Sequence, residues 1–264
     1  MDVNGRIALT PKKEQLKNML ILFGAMALFF ISIMALDLEV GRFISRLERL
    51  PTILRLFMAL EFSIVGEGMI QLLTSIAIAI GALFLGGVLA LILAFLVAEN
   101  TAPSKIVATI IRVFVSTVRA IPNLVLILLI VASLGLGYIA AVTSLTLSTM
   151  GYLTRAFAST IEEQPSSLIE TMRSTGANWF QVVVHGFFPN VFPSFLAWIS
   201  IRLELSISDS ITLGVIGAGG IGTMLSRAIR RHHHAEVSTL LLIIFVAVLV
   251  IEILLNKIKQ RTNT

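Results

Sequence analysis

The chain has 264 residues, of which 56% are hydrophobic and 13% are charged, whereas soluble domains carry roughly 25% charged residues. This composition indicates an integral membrane protein with room for about six spans of ~20 residues. Basic loops at the cytoplasmic face explain the net charge of +5 better than nucleic-acid binding does. The absence of cysteine excludes disulfides and thiolate metal sites.

The predicted elements are all α-helical. A basic N-terminal tail precedes a first span at residues 19–36, and residues 37–67 carry apolar side chains at helical spacing, typical of an external amphipathic segment. We take residues 1–67 as one unit and residues 68–264 as the transmembrane core. The core holds five further spans, predicted at residues 68–98, about 120–135, about 138–157, 191–213 and 237–255.

Proline and glycine divide the long uncharged stretch that contains the third and fourth spans. Gly135 and Gly137 favour a tight turn between these spans, and Pro122 disturbs the start of the third because it lacks a backbone donor. Six spans put both termini on one side, and the excess of Lys and Arg on inner segments indicates that this side is cytoplasmic.

The turn before the last span is strongly basic and runs against this orientation. It contains Arg227, Arg230, Arg231 and His232–His234. Such a turn attracts anions or docks an acidic partner, or it is simply a solvated loop. A metal site is not favoured, because adjacent side chains point apart on a helix.

Residues 162–189 are too polar to cross a membrane. They predict two short cytoplasmic helices, one starting near Pro165 and one near Gly176–Asn178, with Trp179 and Phe180 exposed as an apolar anchor.

A glycine string, Gly214 to Gly222, contains the spacing G-x-G-x-x-G. A dinucleotide-binding turn is rejected, because no β-strand precedes the string and no βαβ unit surrounds it. Glycines here instead allow a sharp backbone turn and close helix packing at membrane depth. We therefore expect an outer gate or packing site made of Gly214, Gly217, Gly219, Gly220 and Gly222.

The fifth span carries charged residues, which are expensive within a bilayer. Helical geometry puts Arg202, Ser206, Asp209 and Ser210 on one face, with Glu204 on the opposite face. Two interpretations stay open, that these residues line a translocation path or that they form a packed ion pair.

No ATP-binding loop of the G-x-x-x-x-G-K-[ST] type occurs in the sequence. No chain of intramembrane acids repeats in both halves, as an ion-coupled transporter would show. An energy source on another subunit is therefore favoured.

The segment Glu170–Phe195, "ETMRSTGANWFQVVVHGFFPNVFPSF", resembles the membrane subunit of bacterial ABC importers. Glu170, Gly176-Ala177 and Pro189 match that family's cytoplasmic E-A-A-x-x-x-G-A motif and later proline, while Thr171 and Met172 replace its two alanines. Within the family, the chain is most similar to phosphonate-type permeases, through "RAIPNLV" (119–125), "GYLTRAFASTIEEQP" (151–165), "RLE" (202–204) and "LGVIGAGGIG" (213–222). Methionine-importer permeases share the first and last of these elements.

The resemblance implies a type I ABC importer fold and a homodimer in the bacterial inner membrane, with no catalysis and no cofactor on this chain. Two ATPase subunits would carry ATP and Mg²⁺, and a periplasmic or lipid-anchored binding protein would deliver phosphonate, phosphite or a phosphate ester. The residues that would dock the ATPase are Glu170, Gly176, Ala177, Trp179, Phe180 and Pro189. Arg119 and Asn123 would line the inner mouth of the path. The alternatives are a methionine-type permease, an ion-coupled secondary transporter, and an intramembrane enzyme using His185 or His232–His234 with Glu170.

Overall fold

The computed structural model describes residues 12–36, 40–48 and 50–262, and these residues form helices and turns without any β-strand. They divide into two compact units, Met1–Arg55 and Leu56–Thr264. The first unit contains α1 (Lys12–Ala35), α2 (Val40–Leu47) and most of α3 (Leu50–Phe57). The predicted tail at residues 1–11 lies outside the described residues.

The second unit is the core, and it begins earlier than residue 68. A short 3-10 turn, Phe62–Ile64, leads into α4, and the backbone N–H of Glu61 donates to Thr239 Oγ1 at 2.8 Å. Residues 56–67, predicted as part of the external segment, therefore belong with the core. The core helices are α4 (Val65–Val97), α5 (Lys105–Ala120), α6 (Asn123–Leu134), α7 (Tyr138–Glu162), α8 (Ser166–Ser174), α9 (Trp179–Gln181), α10 (Phe188–Leu213), α11 (Ile221–Arg230) and α12 (His234–Thr262).

Four stretches among the described residues are long and apolar enough to cross a membrane, namely Glu14–Ala35, Phe62–Val97, Trp179–Ala218 and His234–Lys257. α5 and α6 together pass the same test as a pair bent by 95°. The bend falls at Pro122, as predicted, since α5 ends at Ala120 and Pro122 caps α6. At 12 residues, α6 alone is shorter than the ~20 residues that a bilayer needs, so the predicted third span is one limb of this bent pair.

α7 is the remaining element that runs the length of the core. Its first residue, Tyr138, lies against Gly219 beyond the end of α10, and its last residue, Glu162, accepts a hydrogen bond from the N–H of Glu99 just after α4. The turn before it contains Gly135 at φ 83° and Gly137 at φ 143°, as the sequence predicted. We call the end of the core with Glu99 and Glu162 the α8 end, and the end with Tyr138 and Gly219 the α11 end.

Close packing of α4 on α7 depends on small residues. Along α4, the buried face includes a row of small residues, Ala79, Ala82, Gly86, Ala90 and Ala94. A Cβ at Gly86 would lie 2.8 Å from the carbonyl oxygen of Thr146 on α7. Small residues at spacings of three and four let two helix backbones approach closely, which is how helices associate in lipid.

Candidate functional site

α8 is an exposed helix at the α8 end whose termination is set by Gly176. The N–H of Gly176 donates to the Arg173 carbonyl at 3.0 Å and that of Ala177 to the Met172 carbonyl at 3.2 Å. These two bonds form a Schellman motif, in which the residue after the C-cap takes a left-handed conformation that glycine adopts freely. Gly176 has φ 82°, so the Gly-Ala pair of the sequence motif has a direct conformational role.

Trp179 and Phe180 follow a helix start capped by Asn178. The Asn178 side chain accepts from the Gln181 N–H, while the Gln181 side chain accepts from the Asn178 N–H, each at 2.9 Å. Trp179 is 40% exposed, and its indole N–H donates to the Thr101 carbonyl at 2.5 Å. Phe180 is 64% exposed, so it is the freer of the two predicted apolar anchors.

This surface is joined to the core without a break. The predicted second short helix continues from Trp179 through a π-helical segment, Val182–Phe187, into α10. Pro189 stands at the start of α10 and lacks the N–H that would bond four residues back, a common cause of such irregular turns. Val183 and Phe187 are buried among residues of α4 and α7, while Glu170 and Pro189 are exposed.

Arg202 lies at the centre of a polar network between α10 and α7. It is 4% exposed, and its guanidinium donates to Thr149 Oγ1 and Ser148 Oγ at 3.1 Å each and to Asp209 Oδ2 at 3.3 Å. Its Cζ also lies 5.7 Å from the centre of the Tyr152 ring, within cation–π range. The ion pair that the sequence left as one alternative is therefore present.

Asn123 extends the network onto α6, because Ser148 Oγ donates to Asn123 Oδ1 at 3.0 Å. The other predicted polar residues of α10 do not join it. Ser210 donates to the carbonyl of Ile207 in its own helix at 2.8 Å, and the buried hydroxyl of Ser206 has no partner among the described residues. Glu204, half-buried on another face, likewise forms no hydrogen bond or ion pair within the described part of the chain.

Three cavities follow one another along α7. The Asp209 cavity, about 190 Å³, is lined by Asn123, Leu124, Leu126, Ser144, Leu145, Ser148, Asp209, Thr212 and Leu213. The Arg202 cavity, about 180 Å³, shares Asn123 and Ser148 with it and adds Val118, Arg119, Ile121, Tyr152 and Arg202. The Arg155 cavity, about 290 Å³, shares Arg119 and is lined also by Val97, Glu99, Arg112, Val115, Ser116, Thr154, Arg155, Ala158, Ser159 and Glu162.

A single stripe of α7 faces all three cavities. Its residues are spaced by three or four and are Ser144, Ser148, Tyr152, Arg155, Ser159 and Glu162. At 1.5 Å per residue the stripe is about 27 Å long, close to the ~30 Å hydrocarbon thickness of a bilayer. The sequence interpretation missed this stripe, although its spacing was readable.

The glycine string forms a sharp turn at the α11 end, as predicted. Gly217, Gly219 and Gly220 have φ of 104°, 96° and 72°, which L side chains rarely adopt. Gly214 and Gly222 serve instead as packing glycines, since a Cβ on Gly214 would lie 2.9 Å from the Cα of Gly222.

Two hydroxyls that the sequence interpretation missed hold this turn. Thr223 Oγ1 donates to the Gly214 carbonyl at 2.8 Å and accepts from the Gly219 N–H at 3.0 Å, and Ser75 Oγ on α4 accepts from the Ile221 N–H at 3.1 Å. Threonine and serine are common in such helices, so their positions alone carried no signal.

The basic turn differs from the predicted loop. Arg227 and Arg230 belong to the last turn of α11, and His233 Nδ1 lies 2.7 Å from Glu236 Oε1. Among the described residues, no three His, Asp or Glu side chains cluster closely enough to hold a metal ion.

Comparison with known proteins identifies a family. The family model described as "Binding-protein-dependent transport system inner membrane component" matches residues 86–263. A phosphite transport system permease protein, PtxC, of Stutzerimonas stutzeri is 30% identical over 241 residues, 90% of this chain and 86% of that protein. A phosphate-import permease protein, PhnE, of Mycolicibacterium smegmatis is 34% identical over 168 residues, 64% of this chain and 32% of that protein.

A solved structure has the same fold. The inward-facing MetNI methionine ABC transporter matches with a TM-score of 0.66 and 20% identity, over 77% of this chain and 99% of the matched chain. The curated relatives above are named as permeases rather than as enzymes.

Proposed function

Since the chain belongs to the family of binding-protein-dependent transport system inner membrane components, we propose that it is an ABC importer permease for a phosphate-like oxyanion. The observation that carries this proposal is the series of three cavities along α7. The Asp209 and Arg202 cavities share Asn123 and Ser148, and the Arg202 and Arg155 cavities share Arg119. A route about 27 Å long with hydroxyl, amide and guanidinium groups suits a hydrated anion. The chain itself performs no catalysis and binds no cofactor.

The substrate class rests on two supports. Relatives with 30% and 34% identity are named for phosphite transport and phosphate import. Arginines occur along the route, at Arg119, Arg155 and Arg202, and guanidinium groups match the oxygen geometry of phosphate-like anions. Asp209 and the neutral hydroxyls of the route keep contacts weak, which leaves selectivity to a periplasmic or lipid-anchored binding protein.

The α8 end is the cytoplasmic face, where two ATPase subunits bind a dimer of this chain. Both termini of the chain lie on the same cytoplasmic side. The docking surface consists of α8 with Glu170, the Gly176-Ala177 turn, Trp179, Phe180 and, at the start of α10, Pro189. ATP and Mg²⁺ are held by the ATPase subunits.

The contacts of the docking surface would transmit its movement to α7 and α10, the helices that carry residues of the route. Met172 of α8 presses against Gly186 of the π-helical segment, and that segment continues into α10, which carries Arg202. Trp179 is bonded to the loop after α4 through Thr101, and Asn100 in that loop donates to the Ile161 carbonyl on α7 at 2.7 Å. Because these elements are packed, an ATPase that closes beneath α8 moves α7 and α10 as rigid bodies.

The proposal is tested by co-purification of the chain with the ATPase of its transport system. We expect Phe180→Ala to reduce the ATPase recovered and to abolish ATP-dependent uptake of phosphite. Phe245→Ala is the matched control, because Phe245 of α12 is also 64% exposed but lies outside the docking surface. Equal recovery with both variants would refute the docking assignment.

Uptake measurements separate this function from ion-coupled transport. The proposed importer loses uptake when its ATPase subunit is deleted and retains it when the proton gradient alone is collapsed with ATP maintained. The opposite pattern would identify a secondary transporter.

A further inference from the structure

The Arg155 cavity lies at the α8 end of the route, between the end of α4, α5 and the end of α7. Three of its lining residues are arginines, and they differ in their partners. Arg112 Nη1 lies 3.4 Å from Glu99 Oε1, and Arg112 Nη2 lies 3.8 Å from Glu162 Oε1. Both acids that line the cavity therefore form ion pairs with Arg112. Arg119 and Arg155 form no hydrogen bond or ion pair with any described residue. The three arginines and two glutamates give the cavity lining a net charge of +1, and Arg119 and Arg155 are the two cations that have no partner among the described residues.

The position of Arg119 depends on a glycine of α7. A Cβ at Gly151 would lie 2.9 Å from Arg119 Cγ, so any larger residue there must displace the arginine stem. Gly151 is itself buried. Because Gly151 has no side chain, Arg119 lies against α7 on the side that carries Arg155, four residues after Gly151.

Neutral side chains with hydroxyl groups also line the cavity. Thr154 is 1% exposed, and its hydroxyl has no partner among the described residues. Ser116 of α5 also lines the cavity and is exposed. The Thr154 hydroxyl is shielded from the cavity, so the exposed Ser116 is the neutral side chain placed to donate to a ligand there.

These features fit one class of ligand. Guanidinium groups present planar forks of N–H donors that pair with two oxygens of a tetrahedral oxyanion. The cavity volume of about 290 Å³ also accommodates several waters, each of which occupies about 30 Å³, so the anion keeps part of its hydration shell.

We propose that Arg119 and Arg155 form a binding site for a tetrahedral oxyanion of the phosphite or phosphonate class at the α8 end of the route. The identity of this class rests on the proposed function. The site holds the anion where the route ends, beside the elements that α8 contacts. The phosphate group of a lipid headgroup has the same chemistry, and the experiment separates the two sources.

The test uses the full chain in nanodiscs of phosphatidylcholine, with phosphite as the probe and ³¹P NMR line broadening as the measure of its dissociation constant. We expect Arg119→Gln and Arg155→Gln each to weaken binding about tenfold or more, as expected for loss of one charge-assisted contact. Arg230→Gln is the matched control, because Arg230 is exposed on α11 and outside the cavity. Gly151→Ala should weaken binding with no change of charge.

Three outcomes would overturn the proposal. One is wild-type affinity in both Arg119→Gln and Arg155→Gln, with folding checked by thermal unfolding. Another is an equal loss in Arg230→Gln, which would indicate general charge attraction. The third is that phosphatidylglycerol in the nanodiscs weakens wild-type binding as much as Arg119→Gln does, which would assign the site to lipid headgroups.

Failure of this site is distinguishable from failure of the proposed function. A chain that co-purifies with its ATPase and supports uptake, but binds no phosphite in isolation, overturns only the site. A chain that binds phosphite through these arginines, but supports no ATPase-dependent uptake, overturns the proposed function and leaves the site standing.

Discussion

Replacing Arg202 tests whether the polar network between α10 and α7 stabilises the core. In Arg202→Met, the bonds to Ser148, Thr149 and Asp209 are lost together with the contact to Tyr152. Removal of one partner from a buried ion pair costs about 3–5 kcal/mol, because the other charge is left uncompensated. The Asp209 side chain is 31% exposed and gains some compensation from water, so we expect the lower end, about 3 kcal/mol.

The assay is the free energy of unfolding in mixed micelles titrated with SDS. Asp209→Asn keeps a neutral acceptor but leaves the buried guanidinium of Arg202 without a counter-charge, so we expect a loss of similar size, about 3 kcal/mol. The double variant should be less destabilised than the sum of the two single variants, because they share one interaction. Arg227→Met is the control, because Arg227 is exposed on α11. Equal stability of Arg202→Met and Arg227→Met, or strict additivity in the double variant, would refute the network as a source of stability.

Three further predictions concern local geometry. Gly222→Ala should lower the unfolding free energy by about 1–3 kcal/mol or more, because its Cβ would overlap the backbone of α10. Gly66→Ala is the control, because the space around Gly66 is open, and it should not lower the unfolding free energy. Gly176→Val should reduce ATPase recovery far more than Gly176→Asn, because asparagine tolerates the left-handed conformation; equal effects would contradict the role of the turn. Trp179→Phe keeps an aromatic ring but loses the hydrogen bond to the Thr101 carbonyl. Thermal unfolding should show that the unfolding free energy falls by about 0.5–1.5 kcal/mol, and an unchanged transition would contradict a stabilising role for this hydrogen bond.

Four of the six predicted crossing segments were predictable because long apolar runs and breakers are local properties of the chain. The predicted third span is one limb of a bent pair, and α7, the predicted fourth, is not among the described helices that are apolar enough to cross a membrane. The turn at Gly135 and Gly137, the break at Pro122 and the start of α8 after Pro165 all follow from backbone restrictions of the residues themselves. The continuous helix from Trp179 to Ala218 was not predicted. Polar residues in this segment suggested an interruption, whereas the helix continues through them by way of a π-helical turn.

The partners of the charged residues were only half predictable. Helical periodicity put Arg202 and Asp209 on one face, and the structure pairs them. The contacts to Ser148 and Thr149 join helices that are more than fifty residues apart in sequence, and no local pattern specifies which faces of two helices meet. The small residues of α4 around Gly86 were a readable signal for that contact, because only they allow so close an approach.

The composition of α7 links the fold to transport. Leu153, Phe157 and Ile161 are buried on one side of this helix, and the polar stripe from Ser144 to Glu162 lies on another. Polar groups facing lipid would each be costly. Ser148 and Glu162 have partners on other segments of the core, whereas Arg155 is exposed and forms no hydrogen bond or ion pair with a described residue. A polar face of this length is tolerated where it borders water, which is the environment that a transported anion requires.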